Sequence, residues 1–255
     1  MDNNGLEMAP HQKCRAIRRE NSTGSSPANT RPIRHGIILQ LSAPCFITLE
    51  GIEGCGKTAQ ATLLEQHLSD IEVPHLMTKE PGGTLFGKAL REILLREDNV
   101  SREPVSELLL YLADRCQHLI EVVEPAMNEG KVVISDRYHD ATLAYQGFAR
   151  GVKVSLIQSL AQDLNFRTPD LTLFLDLPVK IGLQRARKRN CLEGQTEFGR
   201  FESEMMEFHE KVRQGYIELM NEDPQRFLRI DACGRRREVF ERVRDTLEQR
   251  GLSRK

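Results

Sequence analysis

Five short runs of apolar, β-favouring residues punctuate the chain, at 45–50, 73–78, 131–135, 171–175 and 227–230. Between them apolar residues recur at spacings of three and four, the period of a helix that buries one face. Residues 58–68 place Ala61, Leu64 and Leu68 on one side, and 85–96 do the same with Leu90, Ile93 and Leu94. A longer stripe starts at Pro104 and runs through Val105, Leu108, Leu109, Leu112, Cys116, Leu119, Ile120 and Val123, with Pro125 and Gly130 ending it. Further helices are predicted over 154–166, from Pro178, over 202–221 and over 235–250, with 190–199 irregular. Strands that are apolar throughout, alternating with helices, specify a parallel sheet covered on both faces. Ligands of such sheets sit at the carboxyl ends of the strands, so the loops at 51–58, 79–84 and 136–141 should converge on one site.

The first of these loops carries the strongest signal. Gly51-Ile52-Glu53-Gly54-Cys55-Gly56-Lys57-Thr58 fits G-x-x-x-x-G-K-[ST], the phosphate-binding P-loop, with a strand before it and a helix after it. The glycines let backbone N–H groups turn inward around a polyphosphate such as that of ATP. Lys57 can reach the β- and γ-phosphates, and the Thr58 hydroxyl can ligate Mg²⁺. The helix that follows aims its positive dipole end at the anion.

Composition narrows the setting. With 255 residues, 36 basic and 37 acidic for a net charge of −1, the chain does not suggest a nucleic-acid or membrane-surface binder. No apolar run approaches the length of a membrane span. Six cysteines form no C-x-x-C pair and no zinc spacing, which reads as free thiols in a reducing cytoplasm. Residues 1–43 are rich in Asn, Ser, Arg and Pro without periodicity. They hold six basic and three acidic residues (+3), against 30 and 34 (−4) in the remainder. The segment reads as a disordered, dispensable tail or an over-long start to the reading frame, leaving 44–255 as the domain.

Phosphoryl transfer needs positioning and charge neutralisation, so arginines and a metal carboxylate are the residues to seek. Asp136 closes the third strand, where it could hold Mg²⁺; Asp176 ends the fourth and competes for that role. Arg137 follows Asp136 into the loop and could clamp a phosphate by its planar fork. Arg91 and Arg115 lie on helices flanking the same edge.

Four motifs carry a family resemblance. They are 46–53 (Phe-Ile-Thr-Leu-Glu-Gly-Ile-Glu), 78–84 (Thr-Lys-Glu-Pro-Gly-Gly-Thr), 109–115 (Leu-Leu-Tyr-Leu-Ala-Asp-Arg), and Asp136-Arg137-Tyr138 with Ala144-Tyr145-Gln146. In this order and spacing the chain resembles thymidylate kinases from about Cys45 to its end. The resemblance implies a P-loop kinase fold with a short lid, and transfer of the γ-phosphoryl of ATP to dTMP, giving dTDP. It also implies a homodimer through the long helices. By the same resemblance Lys57, Thr58 and the loop amides hold ATP, and Arg91, Arg137, Glu53 and Glu80 belong to the dTMP site. Tyr111 stands where a phenylalanine usually stacks on thymine, Arg115 would bond the base's O4, and Tyr145 and Gln146 would line the base and sugar pocket.

This sequence departs from the family at Ala141, where Ser is usual beside Thr142, and in the lid, which reads Gly199-Arg200-Phe201-Glu202 and is a few residues longer than is common. Some thymidylate kinases carry a catalytic arginine in the P-loop, at the position held here by Gly54. The replacement charge is then expected from the lid, with Arg189 and Arg200 as candidates. No general base is evident, and none is needed, because a monophosphate with a second pKa near ~6 is already a dianion. The rival readings are a deoxynucleoside kinase, with Glu80 as the base that a hydroxyl acceptor demands, and a P-loop switch without transfer. Deleting residues 1–43 should leave steady-state kinetics and the melting temperature nearly unchanged. A large fall in thermal stability of the truncated chain would show that the segment docks on the domain.

Overall fold

The computed structural model describes residues 44–96, 102–192, 201 and 204–250. Five strands form one sheet: β1 (Cys45–Glu50), β2 (His75–Lys79), β3 (Val132–Asp136), β4 (Leu171–Asp176) and β5 (Phe227–Asp231). Their order is β2-β3-β1-β4-β5, with every neighbouring pair parallel. The connections leaving the neighbours β1 and β3 run opposite ways along the sheet, to β2 and to β4, which opens a crevice at their carboxyl ends. The register pairs Leu49 with Asp136 and Asp136 with Lys79, so the loops after β1, β2 and β3 leave the sheet at one level.

Side-chain alternation divides the core between the two faces. Ile47, Leu49 and Ile134 pack with Ala61, Leu64 and Leu68 of α1 (Lys57–Asp70), all of them buried. Burying Leu64 and Leu68 stabilises by about 1.5–3 kcal/mol each. Phe46 and Val133 join Leu119, Val123, Ala126 and Met127 in a second cluster. The other helices are α2 (Leu85–Leu95), α3 (Pro104–His118), α4 (Glu124–Asn128), α5 (His139–Thr142), α6 (Val154–Asp163), α7 (Val179–Leu192), α8 (Met206–Glu222) and α9 (Arg236–Gln249).

Three local expectations change. Pro125 does not end the long helix. A π-helical segment, Leu119–Val123, leads directly into α4, with Pro125 in its first turn. There the widened helix accommodates a ring that lacks an N–H and would clash with the carbonyl four residues earlier. The stretch after Tyr138 is helical: α5 continues as a π-helical segment, Leu143–Ala149. Leu143, Ala144, Tyr145, Gln146 and Gly147 are all buried, so no amphipathic period marks this helix in the sequence. Finally, α7 runs on through Asn190, beyond the point where irregular structure is expected.

The end of β1 is tied down by a buried carboxyl. Glu50 Oε1 accepts the Tyr138 N–H at 2.7 Å and Oε2 accepts the Tyr216 hydroxyl at 2.8 Å. Burial pushes its pKa up to about 8, helped by the charge of Asp140 and opposed by Arg137 and the two hydrogen bonds. An unfolded chain ionises this group near 4.5. Between those values the unfolded state gives up a proton that the native state keeps, so Glu50 makes stability fall as pH rises through the window. Glu50→Gln cannot ionise and should lose less stability than the parent between about pH 5 and about pH 9 in urea unfolding. Parallel losses in the two proteins would show that Glu50 is not the linked group.

Candidate active site

The three loops enclose one cleft of about 600 Å³ at the carboxyl edge of the sheet. On the P-loop side, Gly51, Gly54 and Gly56 take φ values of 139°, 71° and 102°, a region costly for residues with a Cβ. A Cβ on Gly51 would lie 2.6 Å from the Leu175 carbonyl oxygen, and one on Gly54 would collide with the carbonyl of Gly182 in α7. The approach is mutual, since a Cβ on Gly182 would lie 2.5 Å from the Glu53 carbonyl oxygen. Ile52 and Cys55 turn their side chains into the core, leaving only their amides to the loop. Gly56 caps α1 without a side-chain hydrogen bond, so the first N–H groups of the helix stay available to an anion. Lys57 is buried and donates to the carbonyls of Gly51 (3.0 Å) and Ile52 (2.9 Å) and to Cys55 Sγ (3.5 Å).

The two candidates for the metal carboxylate differ in surroundings. Thr58 Oγ1 donates to Asp136 Oδ2 at 2.5 Å, bringing a hydroxyl and a carboxylate together at the cleft wall. Asp176 is instead clasped by Arg213 at 2.8 Å and Arg229 at 2.5 Å. Burial alone would raise its carboxyl, and the two guanidiniums overcome that and hold it below the usual range. The Thr58–Asp136 pair offers hard oxygen donors of the kind Mg²⁺ takes. Among the described residues no group of three or more His, Cys, Asp or Glu side chains forms a metal cage. A cation held by this pair would complete its shell with phosphate oxygens and water.

Arg137 sits at the junction of the cleft's two halves. Its φ is 72°, a left-handed conformation that costs a non-glycine residue about 1–3 kcal/mol. Two bonds hold it: the Arg137 N–H donates to the Leu49 carbonyl at 3.1 Å, and Ser135 Oγ donates to the Arg137 carbonyl at 2.7 Å. The guanidinium reaches Gly51 O (3.1 Å), Glu53 Oε1 (3.0 Å) and the Tyr145 hydroxyl (3.0 Å). Glu53 also accepts from the Tyr145 hydroxyl at 2.6 Å and pairs with His209 Nδ1 at 3.2 Å. Burial pushes the Glu53 carboxyl up, but His209, Arg137, Lys57 and Tyr145 together bring it down to about 2.

The far half of the cleft is built around a second buried guanidinium. Arg115 donates to Glu80 Oε2 (2.8 Å) and Thr142 Oγ1 (3.0 Å), and lies 3.3 Å from His139 Nδ1. The other Glu80 oxygen meets His118 Nδ1 at 2.7 Å, and His118 Nε2 meets Thr78 Oγ1 at 2.7 Å. Burial would raise Glu80, but Arg115 and His118 hold it below the ordinary carboxylate range. With both oxygens engaged, Glu80 is poorly placed to take a proton. Arg91 donates to the Pro81 carbonyl at 2.8 Å, and Tyr111 lines the same wall, half-buried. Gln146 lines the cleft while its Nε2 donates to Glu107 Oε1 at 2.7 Å. Ala141 lines the wall without a hydroxyl, and that of its neighbour Thr142 serves Arg115.

Of the two lid arginines, Arg189 lines the cleft from the last turn of α7, and Arg200 lies outside the described residues, as does the tail 1–43. Phe201 packs edge-on against Tyr145 with ring centroids 5.4 Å apart. Sequence reasoning missed His118, although a signal was there: it lies one turn after Arg115 on the same helix face. It also missed Glu107, His209 and Tyr216, whose partners lie between 39 and 166 residues away and leave no local pattern.

Comparison with known proteins places this geometry. The family profile described as "Thymidylate kinase" matches residues 49–243. A thymidylate kinase of Syntrophotalea carbinolica is 50% identical over 200 residues, covering 78% of this chain and 92% of that protein. One from Desulfosudis oleivorans is 47% identical over 206 residues, covering 80% and 96%. The crystal structure of thymidylate kinase from Ehrlichia chaffeensis superposes with a TM-score of 0.63 at 31% identity, covering 80% of this chain and 99% of that one. By sequence over most of its length and by the course of its backbone, the chain belongs to the thymidylate kinase family.

Proposed function

We propose that the cleft is where this chain transfers the γ-phosphoryl group of ATP to dTMP, giving dTDP and ADP. The observation that carries the reading is the continuity of one cleft, from Lys57 and Thr58 at one end to Tyr111, Arg115 and Gln146 at the other. Donor and acceptor phosphates meet in its middle, beside Arg137. ATP lies on the P-loop amides of 51–58, and Lys57 exchanges loop carbonyls for phosphate oxygens as the nucleotide enters. Thr58 and Asp136 would hold Mg²⁺, and such an ion would supply neutralisation of phosphate charge. Arg91 and Arg137 bind the dTMP phosphate, with Glu53 and Tyr145 fixing the Arg137 fork. Tyr111 stacks on the base, and Arg115, held in place by Glu80, faces its C4 carbonyl.

Two finer points belong to the same proposal. Val105 and Leu109 on α3 and Ile120 just beyond it are exposed apolar side chains, which supports a homodimer through the long helices. No helix among the described residues is long and apolar enough to cross a membrane, and the described cysteines are free; a cytoplasmic setting fits these thiols.

An acceptor panel with ATP and Mg²⁺ tests the reading. dTMP should be phosphorylated and thymidine should not, because Glu80 is committed to Arg115 and His118 and no free base awaits a hydroxyl. Turnover of thymidine above that of dTMP would overturn it. In the same assay Asp136→Asn should raise the Mg²⁺ requirement sharply. Asp176→Asn should lower the melting temperature and leave the Mg²⁺ requirement alone; the reverse pattern would move the metal to Asp176.

The lid supplies the missing transition-state charge in this proposal. The contact between Gly54 and Gly182 leaves no room for a P-loop arginine, and Arg189 reaches the cleft from α7. Alanine at Arg189 or Arg200, whichever does the work, should lower kcat by about 10³–10⁵, with little change in either KM. Parent-level kcat in both single variants and in the double variant would remove the lid as the source.

A further inference from the structure

Gln146 and Glu107 form a buried pair that the phosphoryl chemistry does not use. Both are 1% exposed, one on the π-helical segment that follows α5 and the other on α3. Gln146 Nε2 donates to Glu107 Oε1 at 2.7 Å, and the Arg150 guanidinium lies 3.8 Å from that same oxygen. A carboxyl oxygen that accepts from an amide N–H turns the amide oxygen away, so the contact fixes which end of the neighbouring amide faces it. The nitrogen of Gln146 must point to Glu107, which leaves its carbonyl oxygen as the end free to face a ligand. Among the described residues no donor reaches that oxygen, and Gln146 lines the cleft.

The same cleft holds a fixed donor. Arg115 spends three of its N–H groups on Glu80, His139 and Thr142 and faces the cleft with no acceptor of its own. A pyrimidine with a carbonyl at C4 and a proton on N3 needs one donor and, beside it, one acceptor. A 4-amino pyrimidine shows the opposite pattern, with a donor at C4 and a lone pair on N3. An amide free to turn over could serve either base.

We infer that Glu107 is a positioning residue that locks the Gln146 amide with its oxygen toward the cleft, and so selects thymine and uracil monophosphates over cytosine monophosphates. The inference rests on the dTMP reading above and adds to it a residue that never touches substrate. Matching one base edge against the wrong one is worth about tenfold to a hundredfold.

The test uses the full chain with ATP, Mg²⁺ and three acceptors: dTMP, dUMP and dCMP. In Glu107→Gln the ratio of kcat/KM for dCMP to that for dTMP should rise about tenfold or more. The dUMP to dTMP ratio and the ATP KM should stay at parent values, because dUMP shows the same edge as dTMP. A purely structural role would lower all acceptors together and leave the ratios unmoved. Glu107→Met, which needs no buried partner, carries the same expectation should Glu107→Gln fail to fold. In a Gln146→Met background either substitution should leave the dCMP to dTMP ratio where it was, since Glu107 acts only through that amide. In the parent protein, the side-chain amide protons of Gln146, identified by their loss in Gln146→Met, should exchange slowly with solvent.

An unchanged ratio in the Glu107 variants would overturn the inference, as would an equal change in the Gln146→Met background or fast exchange of the amide. If the parent fails to phosphorylate dTMP at all, it is the dTMP reading that falls.

Discussion

A single guanidinium holds the two halves of this site in register. Arg137 donates into the P-loop at Gly51 and Glu53, and into the π-helical segment at Tyr145, from a backbone conformation that is itself unfavourable. Removing one partner of such a buried pair costs about 3–5 kcal/mol, because the other charge is left without compensation. The three partners hold the guanidinium in one place, and the Arg137 backbone with it. Glu50 reinforces it from below, through Tyr138 on one oxygen and Tyr216 on the other. The place of the Arg137 charge in the cleft thus follows from contacts made beneath the cleft floor.

Close backbone contact sets a second limit. Gly54 and Gly182 meet without room for a Cβ on either, so the P-loop and the start of α7 are packed peptide to peptide. A side chain at position 54 of the P-loop has no space in this chain. α7 starts at this contact and brings Arg189 to the cleft in its last turn.

The far half of the cleft follows a different logic, that of orientation. Glu80 and His118 pin Arg115, and Glu107 pins Gln146, so donor and acceptor are presented by side chains whose own freedom has been removed. Groups held in this way lose little entropy when they bind a ligand. The proximity of Asp114 adds charge to this cluster, and burial with the nearby Glu80 carries its carboxyl up to about 6.

Local pattern was enough for the sheet, the P-loop and most helices. All five strands lie within two residues of the apolar runs; the central β1 and β4 are buried on both faces and β3 nearly so, while the edge strands β2 and β5 keep only part of that pattern. The motifs also named Lys57, Thr58, Asp136, Arg137, Arg115 and Gln146 as neighbours, since each sits at a strand's carboxyl end or on a helix beside one. Only tertiary structure separates the surroundings of Asp136 and Asp176, which look alike in sequence. One meets the Thr58 hydroxyl, and the other is taken by arginines 37 and 53 residues further on. It alone produced the helix after Tyr138, whose residues are buried all round and so carry no period. It alone brought Glu107 to Gln146 and His209 to Glu53, because a hydrogen bond between distant side chains is fixed by packing and leaves no trace in spacing along the chain.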